Sequence, residues 1–415
     1  MIKKKYSTKY WIYTSMINYL TAFDKYLLFT FLIIIFQCFH SISLNSFTQE
    51  FLIQLIPYTL VINSFLFSEK FFKFIKRYFA PLIIFNFICT FSVFWTTDLK
   101  YTIASNLDLF LSSFTIIIAV YYSKNKINGL KDIVKSSLFA IYFIIFLGIF
   151  SINVQDRTFL GLSPSLFSSI LNYGSVCSLY LFTKTKRKYH IVSFCIFLIL
   201  SLILGSVRGV LSILIGLTAY LKLFNSKKEI TFYLKLILSL TLVFIIYLLV
   251  ILNIDISSPF LSFLSGFKFK NQLLTNSQYL KIALQDIFSK KEFNISNHMY
   301  AGERISSIII GLRETFTNSP IIGFGHGNSK EVFTEFGKSY SHNGLIDVYM
   351  GTGLFGLYFY MKFIFSKILR STNKIGVDLI SWKRFSSIVF LFHLMVGLPF
   401  ENIPLSLLLA LIISV

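Results

Sequence analysis

A few polar side chains stand where a bilayer protein has no need of them. Arg208 lies in "LILGSVRGVLSILIGL", in a break of a few residues between two apolar runs. A charge at such depth is costly unless it pairs, faces water or stretches its stem to the interface. Stretching to the interface is one reading of Arg208; contact with an anion is the other. Arg304 follows Gly302 and Glu303 at the start of an amphipathic segment. A cation there opposes the helix dipole. Either Glu303 pairs it in solvent, or its guanidinium fork is aimed at a phosphate. Arg313, on the same segment, reads as a solvent contact. His342, with Asn343 after it, stands at the entrance of the apolar run "GLIDVYMGTGLFGLYFY". An imidazole with water access and a pKa near ~6.5 suits a general base; the alternative is a polar cap for the helix that follows. Glu401, in "GLPFENIP", could orient His342, pair an arginine, or simply mark an interfacial turn.

The other histidines carry less signal. His190 falls in a basic break, His40 and His393 in apolar runs where histidine usually packs, and His298 and His326 in a long polar loop. No H-x-x-H or H-E-x-x-H spacing occurs, so no metal site is expected. Cys38, Cys89, Cys177 and Cys195 all sit in apolar runs without a C-x-x-C pair and read as buried free thiols. Gly351, Gly353 and Gly356 spell G-x-G-x-x-G, but a dinucleotide fingerprint needs a preceding strand and an acidic residue about twenty positions on. Here the pattern lies inside an apolar run with basic sequence downstream. These glycines are expected to serve close helix packing, and no cofactor is expected.

What must position these groups is a bundle that spans a bilayer. Only 14% of the residues are charged, against about 25% in soluble domains. Apolar runs near the ~20 residues of a membrane crossing recur along the chain. The expected fold is all-α, a polytopic membrane protein with about 12 transmembrane helices. The divisions fall at 1–24 (cytoplasmic N-terminus), 25–253 (spans one to nine), 254–342 (a large extracytoplasmic loop) and 343–415 (spans ten to twelve). The N-terminus "MIKKKYSTKY" is basic, yet no small-x-small site follows the first apolar run, so an uncleaved first helix is expected.

The net charge of +21 is not read as a nucleic-acid signal. Lys70, Lys73, Lys76 and Arg77 share one break between runs; Lys124, Lys126, Lys131 and Lys135 share another, and Lys184, Lys186, Arg187 and Lys188 a third. The alternate breaks hold only Lys100, Arg157 and Arg208. This is the positive-inside pattern, and it puts both termini in the cytoplasm and the 254–342 loop outside. Within that loop Ile305, Ile308, Ile309, Leu312 and Phe316 recur at helical spacing. The spacing predicts an amphipathic helix from Arg304 to about Asn318 on the outer face, stopped by Ser319-Pro320 and followed by the glycine turn "GFGHG".

Taken together, these stretches resemble the O-antigen ligase and polymerase superfamily of bacterial surface-polysaccharide assembly. "SVRGVLSILIGL" resembles its arginine opening a span on the outer side. "GERISSIIIGLRETFTNSPIIGFGHGN" resembles its arginine-led helix with a proline and a glycine turn. "SHNGLIDVYMGTGLFGLYFY" resembles its His-Asn entrance to a glycine-containing span, and "DRTFLGLSPSLFSSIL" a weaker segment upstream. "LPFENIP" stands where ligase-type members carry an acidic residue, here Glu instead of Asp.

The resemblance implies a metal-independent glycosyltransferase in the bacterial cytoplasmic membrane, with its active site on the extracytoplasmic side. It implies an undecaprenyl-pyrophosphate-linked oligosaccharide donor and a glycan or lipid-linked glycan acceptor. A chain-length regulator and a flippase are the implied protein partners. His342 would be the general base, and Arg208 and Arg304 would hold the pyrophosphate. Glu401, Asn343 and Arg313 would support them. The first external loop, "LNSFTQE", lacks the acidic pair that metal-using lipid-sugar transferases carry there. A repeat-unit polymerase of O-antigen or capsule type is the favoured activity. The alternatives are an O-antigen ligase that transfers polymer to lipid A-core, and a flippase or exporter of the same lipid-linked sugars.

Overall fold

The computed structural model describes residues 25–40, 55–58, 68–148, 152–153, 158–159, 164–203, 207–221, 301–328, 343–368, 377–396 and 402–415. The helices are α1 (Lys25–His40), α2 (Glu69–Phe91), α3 (Leu99–Asn125), α4 (Gly129–Gly148), α5 (Pro164–Thr185), α6 (Tyr189–Ile203), α7 (Val207–Leu221), α8 (Ala301–Asn318), α9 (Gly344–Ile368), α10 (Val377–Val396) and α11 (Ile403–Ser414). Residues 55–58 form a further helical turn. A 3-10 turn, Ser92–Phe94, extends α2. Strands β1 (Ile152–Asn153) and β2 (Thr158–Phe159) form a two-residue antiparallel pair between α4 and α5. The described architecture is all-helical apart from that pair.

Among the described residues four helical stretches are long and apolar enough to cross a membrane: Glu69–Phe94, Leu99–Asn125, Leu166–Thr185 and Gly344–Ile368. Tyr189–Ser201 and Ile403–Ser414 are shorter apolar helices. Most of the run expected at 50–67, all of that at 230–253, and the loop from 254 to 300 lie outside the described residues.

The helices outrun the apolar stretches that announce them. α2 begins at Glu69, α4 at Gly129 and α10 at Val377, about eight to ten residues ahead of the apolar runs that start near 79, 137 and 385 in the sequence. Lys70, Lys73, Lys76, Arg77, Lys131, Lys135, Lys383 and Arg384 therefore lie on helical turns, where the charge pattern alone suggested connecting breaks. Apolarity marks only the hydrocarbon core, whereas backbone pairing continues wherever a cap starts it. Ser68 accepts from the Phe71 amide to start α2, and Asp98 accepts from the Tyr101 amide at 3.0 Å to start α3.

α11 is the axis of the bundle. Its sequence, IPLSLLLALIIS, is apolar on every side, which is the pattern of a helix surrounded by protein. Ile403 through Ile413 are all buried, with α3, α5 and α10 packed around them. Polar ties hold these layers in register. The Trp382 indole N–H on α10 donates to the Val176 carbonyl on α5 at 3.0 Å, and Ser137 on α4 meets the Tyr173 hydroxyl on α5 at 2.8 Å.

Candidate functional site

Two of the sequence-predicted site residues stand one position ahead of an asparagine cap. His342 and Glu401 themselves lie outside the described residues. Asn343, next to His342, accepts from the amides of Leu345 and Ile346 at 3.0 and 3.2 Å and so starts α9. Asn402, next to Glu401, accepts from the Leu405 amide at 3.4 Å and starts α11. The cap that sequence offered as the alternative to chemistry is thus real, and it belongs to Asn343. Arg208 is the second residue of α7 and Arg304 is in the first turn of α8; their side chains lie outside what is described. α8 begins at Ala301, so Arg304 does not open it. Arg313 is exposed, as expected.

A buried polar network surrounds the turn that carries Arg208. The Asn172 amide nitrogen on α5 lies 3.2 Å from the Gly209 carbonyl, 3.0 Å from the Ser212 hydroxyl and 2.7 Å from His393 Nε2 on α10. Ser212 in turn donates to the Gly209 carbonyl at 2.7 Å. With the amide donating, Nε2 accepts, and the ring carries its proton on Nδ1. Two residues further along α10, the Met395 carbonyl accepts from the Asn343 side-chain amide at 3.0 Å. One end of α10 therefore ties the first turn of α7, with Arg208, to the cap that follows His342. Sequence reasoning read His393 as packing and passed over Asn172. The available signal was that both are hydrogen-bonding side chains inside apolar runs, where partners are obligatory.

The glycine pattern does something other than helix packing, and this corrects the expectation for Gly353. That residue has φ 62° and ψ −165° and breaks α9 in its N-terminal half. In a continuous helix the Leu354 and Phe355 amides would donate to the Met350 and Gly351 carbonyls. Instead the turn after α8 is inserted between them. Phe324 and Gly325 donate to Met350 and Gly351 at 2.7 and 3.1 Å, while Leu354 and Phe355 donate to Pro320 and Ile321 at 2.9 and 3.2 Å. Four loop bonds thus replace two helix bonds, all of them between backbone groups. Such an approach requires bare backbone. A Cβ on Gly353 would lie 2.2 Å from the Ile321 carbonyl carbon, and one on Gly323 (φ 70°) 2.5 Å from the Met350 oxygen. Gly351 faces the same turn and not a helix: a Cβ there would lie 3.1 Å from His326 Cα.

The same turn is pinned to the C-terminal end of α2 and the N-terminal end of α3. The His326 amide donates to Ser92 Oγ at 2.9 Å, and the Asn328 side chain donates to Thr97 Oγ1 at 2.7 Å. α8 turns Ser307, Gly311 and Thr315 inward, a stripe of small residues that admits α9. Towards its C-terminal end two apolar side chains face away from the bundle, Leu312 41% and Phe316 73% exposed. An outward apolar face suits a helix lying against lipid.

His326 gives this turn a pH dependence. Its Nδ1 is buried with no hydrogen-bond partner among the described residues, and desolvation lowers its pKa to about 4. A solvated imidazole protonates near ~6.5. Between these values the unfolded chain binds the extra proton, so the stabilisation is complete above about 6.5 and fades as pH falls towards 4. His326→Gln should therefore flatten the decline in thermal midpoint of the detergent-solubilised protein over that interval. An unchanged slope would place the titrating group elsewhere.

Among the described residues no group of three His, Cys, Asp or Glu side chains could hold a metal ion. No family model matches the chain, and no curated protein matches it. The fold itself defines an all-helical chain with helices fit to cross a membrane, carrying a buried polar network and a backbone clasp at one end.

Proposed function

We propose that the protein is a glycosyltransferase of the bacterial cytoplasmic membrane. It joins oligosaccharide repeat units carried on undecaprenyl pyrophosphate, working on the extracytoplasmic side. The observation that supports this reading best is the end of α10, where His393 and Met395 link the turn carrying Arg208 to the cap beside His342. The His342 imidazole takes the proton of an acceptor hydroxyl. The hydroxyl oxygen bonds to the anomeric carbon of the donor, and the bond from that carbon to the pyrophosphate oxygen breaks. The electron pair leaves with undecaprenyl pyrophosphate, whose charge Arg208 and Arg304 offset. Direct displacement inverts the anomeric centre. Glu401 orients His342 or balances the arginines.

The break in α9 invites a transporter reading, because transporters use half-helix ends to meet their substrates. Here the freed Met350, Gly351, Leu354 and Phe355 backbone groups are taken by the turn after α8, which favours a structural use of the break. Deleting the gene separates the readings. A polymerase deletion should accumulate single lipid-linked repeats on the outer leaflet, a ligase deletion long lipid-linked chains, and a flippase deletion repeats on the inner leaflet. The purified protein should elongate lipid-linked repeats in EDTA. An unaltered surface glycan in the deletion, or strict dependence on added Mg²⁺, would sink the proposal.

A further inference from the structure

The junction of the glycine turn with α2 and α3 gathers buried polar atoms that have no hydrogen-bond partner among the described residues: Trp95 Nε1, both amide atoms of Asn106 and His326 Nδ1. They come from three segments in contact. His326 is held to Ser92 through its amide. Trp95 follows Ser92 by three residues and donates its own amide to the Ser92 carbonyl at 3.2 Å. Side chains three apart in a 3-10 turn eclipse one another, so the indole stands over Ser92. On α3, Asn106 lies one turn after Thr102, whose hydroxyl meets Thr96 at 2.7 Å. It also lies seven residues before Ser113, which accepts from Asn86 of α2 at 2.9 Å. The Asn106 side chain therefore faces the seam with α2. Gly325 and Gly327, on either side of His326, bring the turn against the same segments: a Cβ on the first would meet Thr96, and one on the second Ser105 Oγ. Buried polar groups are nearly always paired, and a cluster of orphans at one junction points to a ligand.

We infer that Trp95, Asn106 and His326 form a subsite for one uncharged sugar ring of the glycan, an inference that rests on the glycosyltransferase reading. The chemistry of the three groups selects the ligand. An indole N–H only donates, a carboxamide donates and accepts, and a neutral imidazole nitrogen does one or the other according to its tautomer. Ring hydroxyls donate and accept, so each group finds a match. The indole face offers apolar surface to the C–H side of a ring. Neither a phosphate nor a cation finds its counter-charge, because burial holds the His326 imidazole neutral down to a pH of about 4. Asp347 stands one turn before Gly351, the residue that meets His326, and its carboxylate further opposes an anion. Entry of the ring requires the turn to lift from Ser92 while its backbone bonds to α9 stay in place. From Gly351 the helix runs eight residues back to the Asn343 cap, about 12 Å. The ring held here is therefore not the one that reacts beside His342 but one further along the glycan.

Removing these groups should help the fold and harm binding. Buried polar atoms without partners cost stability, so Asn106→Leu and Trp95→Phe should hold or raise the thermal midpoint of the detergent-purified protein. Both should weaken binding of the free repeat-unit oligosaccharide at least tenfold. That probe is released from the host's surface glycan by mild acid and titrated calorimetrically. Asn318→Ala, on an exposed residue of α8, should leave binding within twofold, and inorganic pyrophosphate should not compete. Unchanged binding in both variants would overturn the proposal; a lower midpoint beside it would mark the groups as parts of the fold held by trapped water. Weaker binding with a lower midpoint in both variants would overturn it as a structural effect. Absence of binding by the parent protein, or full displacement of the oligosaccharide by pyrophosphate, would overturn it too. The lipid-linked species that accumulate in the deletion decide the glycosyltransferase reading separately, so each fails on its own measurement.

Discussion

Gly353→Ala should undo the break in α9. The added methyl would sit 2.2 Å from both the carbon and the oxygen of the Ile321 carbonyl and 2.5 Å from the Ile322 nitrogen. Those are backbone atoms, so no rotamer change relieves the contact. The backbone at φ 62°, ψ −165° is also a conformation open in practice to glycine alone, worth about 1–3 kcal/mol of strain for any other residue. Losing the four inserted hydrogen bonds and regaining two within the helix adds roughly 0.5–1.5 kcal/mol for each of the two lost on balance. The variant should therefore lose the clasp altogether. Hydrogen exchange at the Phe324 and Gly325 amides, whose acceptors the restored helix reclaims, should rise more than tenfold, and the thermal midpoint should drop. Gly351→Ala, whose methyl would approach His326 Cα at 3.1 Å, should have a much smaller effect. Equal protection of the Phe324 and Gly325 amides in Gly353→Ala and the parent would show that the break does not depend on glycine.

Single substitutions His342→Ala, Arg208→Ala and Arg304→Ala should each abolish long surface glycan while the protein stays in the membrane. A general base contributes about 10²–10⁴ in rate, and a preorganised group facing developing charge about 10²–10³. A polymer built by repeated transfer amplifies such losses into missing length. Arg208→Lys should restore little, because an ammonium keeps the charge without the two-pronged geometry. Wild-type glycan length in all three alanine variants would remove these residues from the chemistry and leave the Asn343 cap as the purpose of that entrance. An Asn172→Leu change offers a sharper discrimination. If Asn172 positions the Arg208 turn through Gly209, glycan length should shorten while membrane levels hold, and Asn172→Gln should recover part of it.

The all-helical class was legible in composition, and so were several boundaries. Ser319-Pro320 ends α8 where expected, and the glycine turn follows it. The helix starts were less legible, because Ser68 and Asp98 are local caps whereas hydrophobicity reports only where lipid begins. Gly353 could not be read at all from its neighbourhood. The apolar sequence continues across it, and only a distant segment reveals that the helix is interrupted. Asn172 directly follows "DRTFLGLSPSLFSSIL", the weakest of the resembling stretches, and its partners on α7 and α10 are far away in sequence. The candidate residues were thus visible singly. What the chain could not announce was that one end of α10 links the turn after Arg208 to the Asn343 cap, since α10 meets α5, α7 and α9 only after folding.

The clasp also has a consequence for how the chain is made. α9 cannot satisfy its own backbone: two carbonyls and two amides around Gly353 depend on residues 320–325, which the ribosome produces earlier. An open turn left facing lipid would cost several kcal/mol per group. The glycine turn is therefore synthesised before the span that needs it. The order of segments in the chain serves as an assembly schedule, in which an apolar helix is completed by a loop made before it.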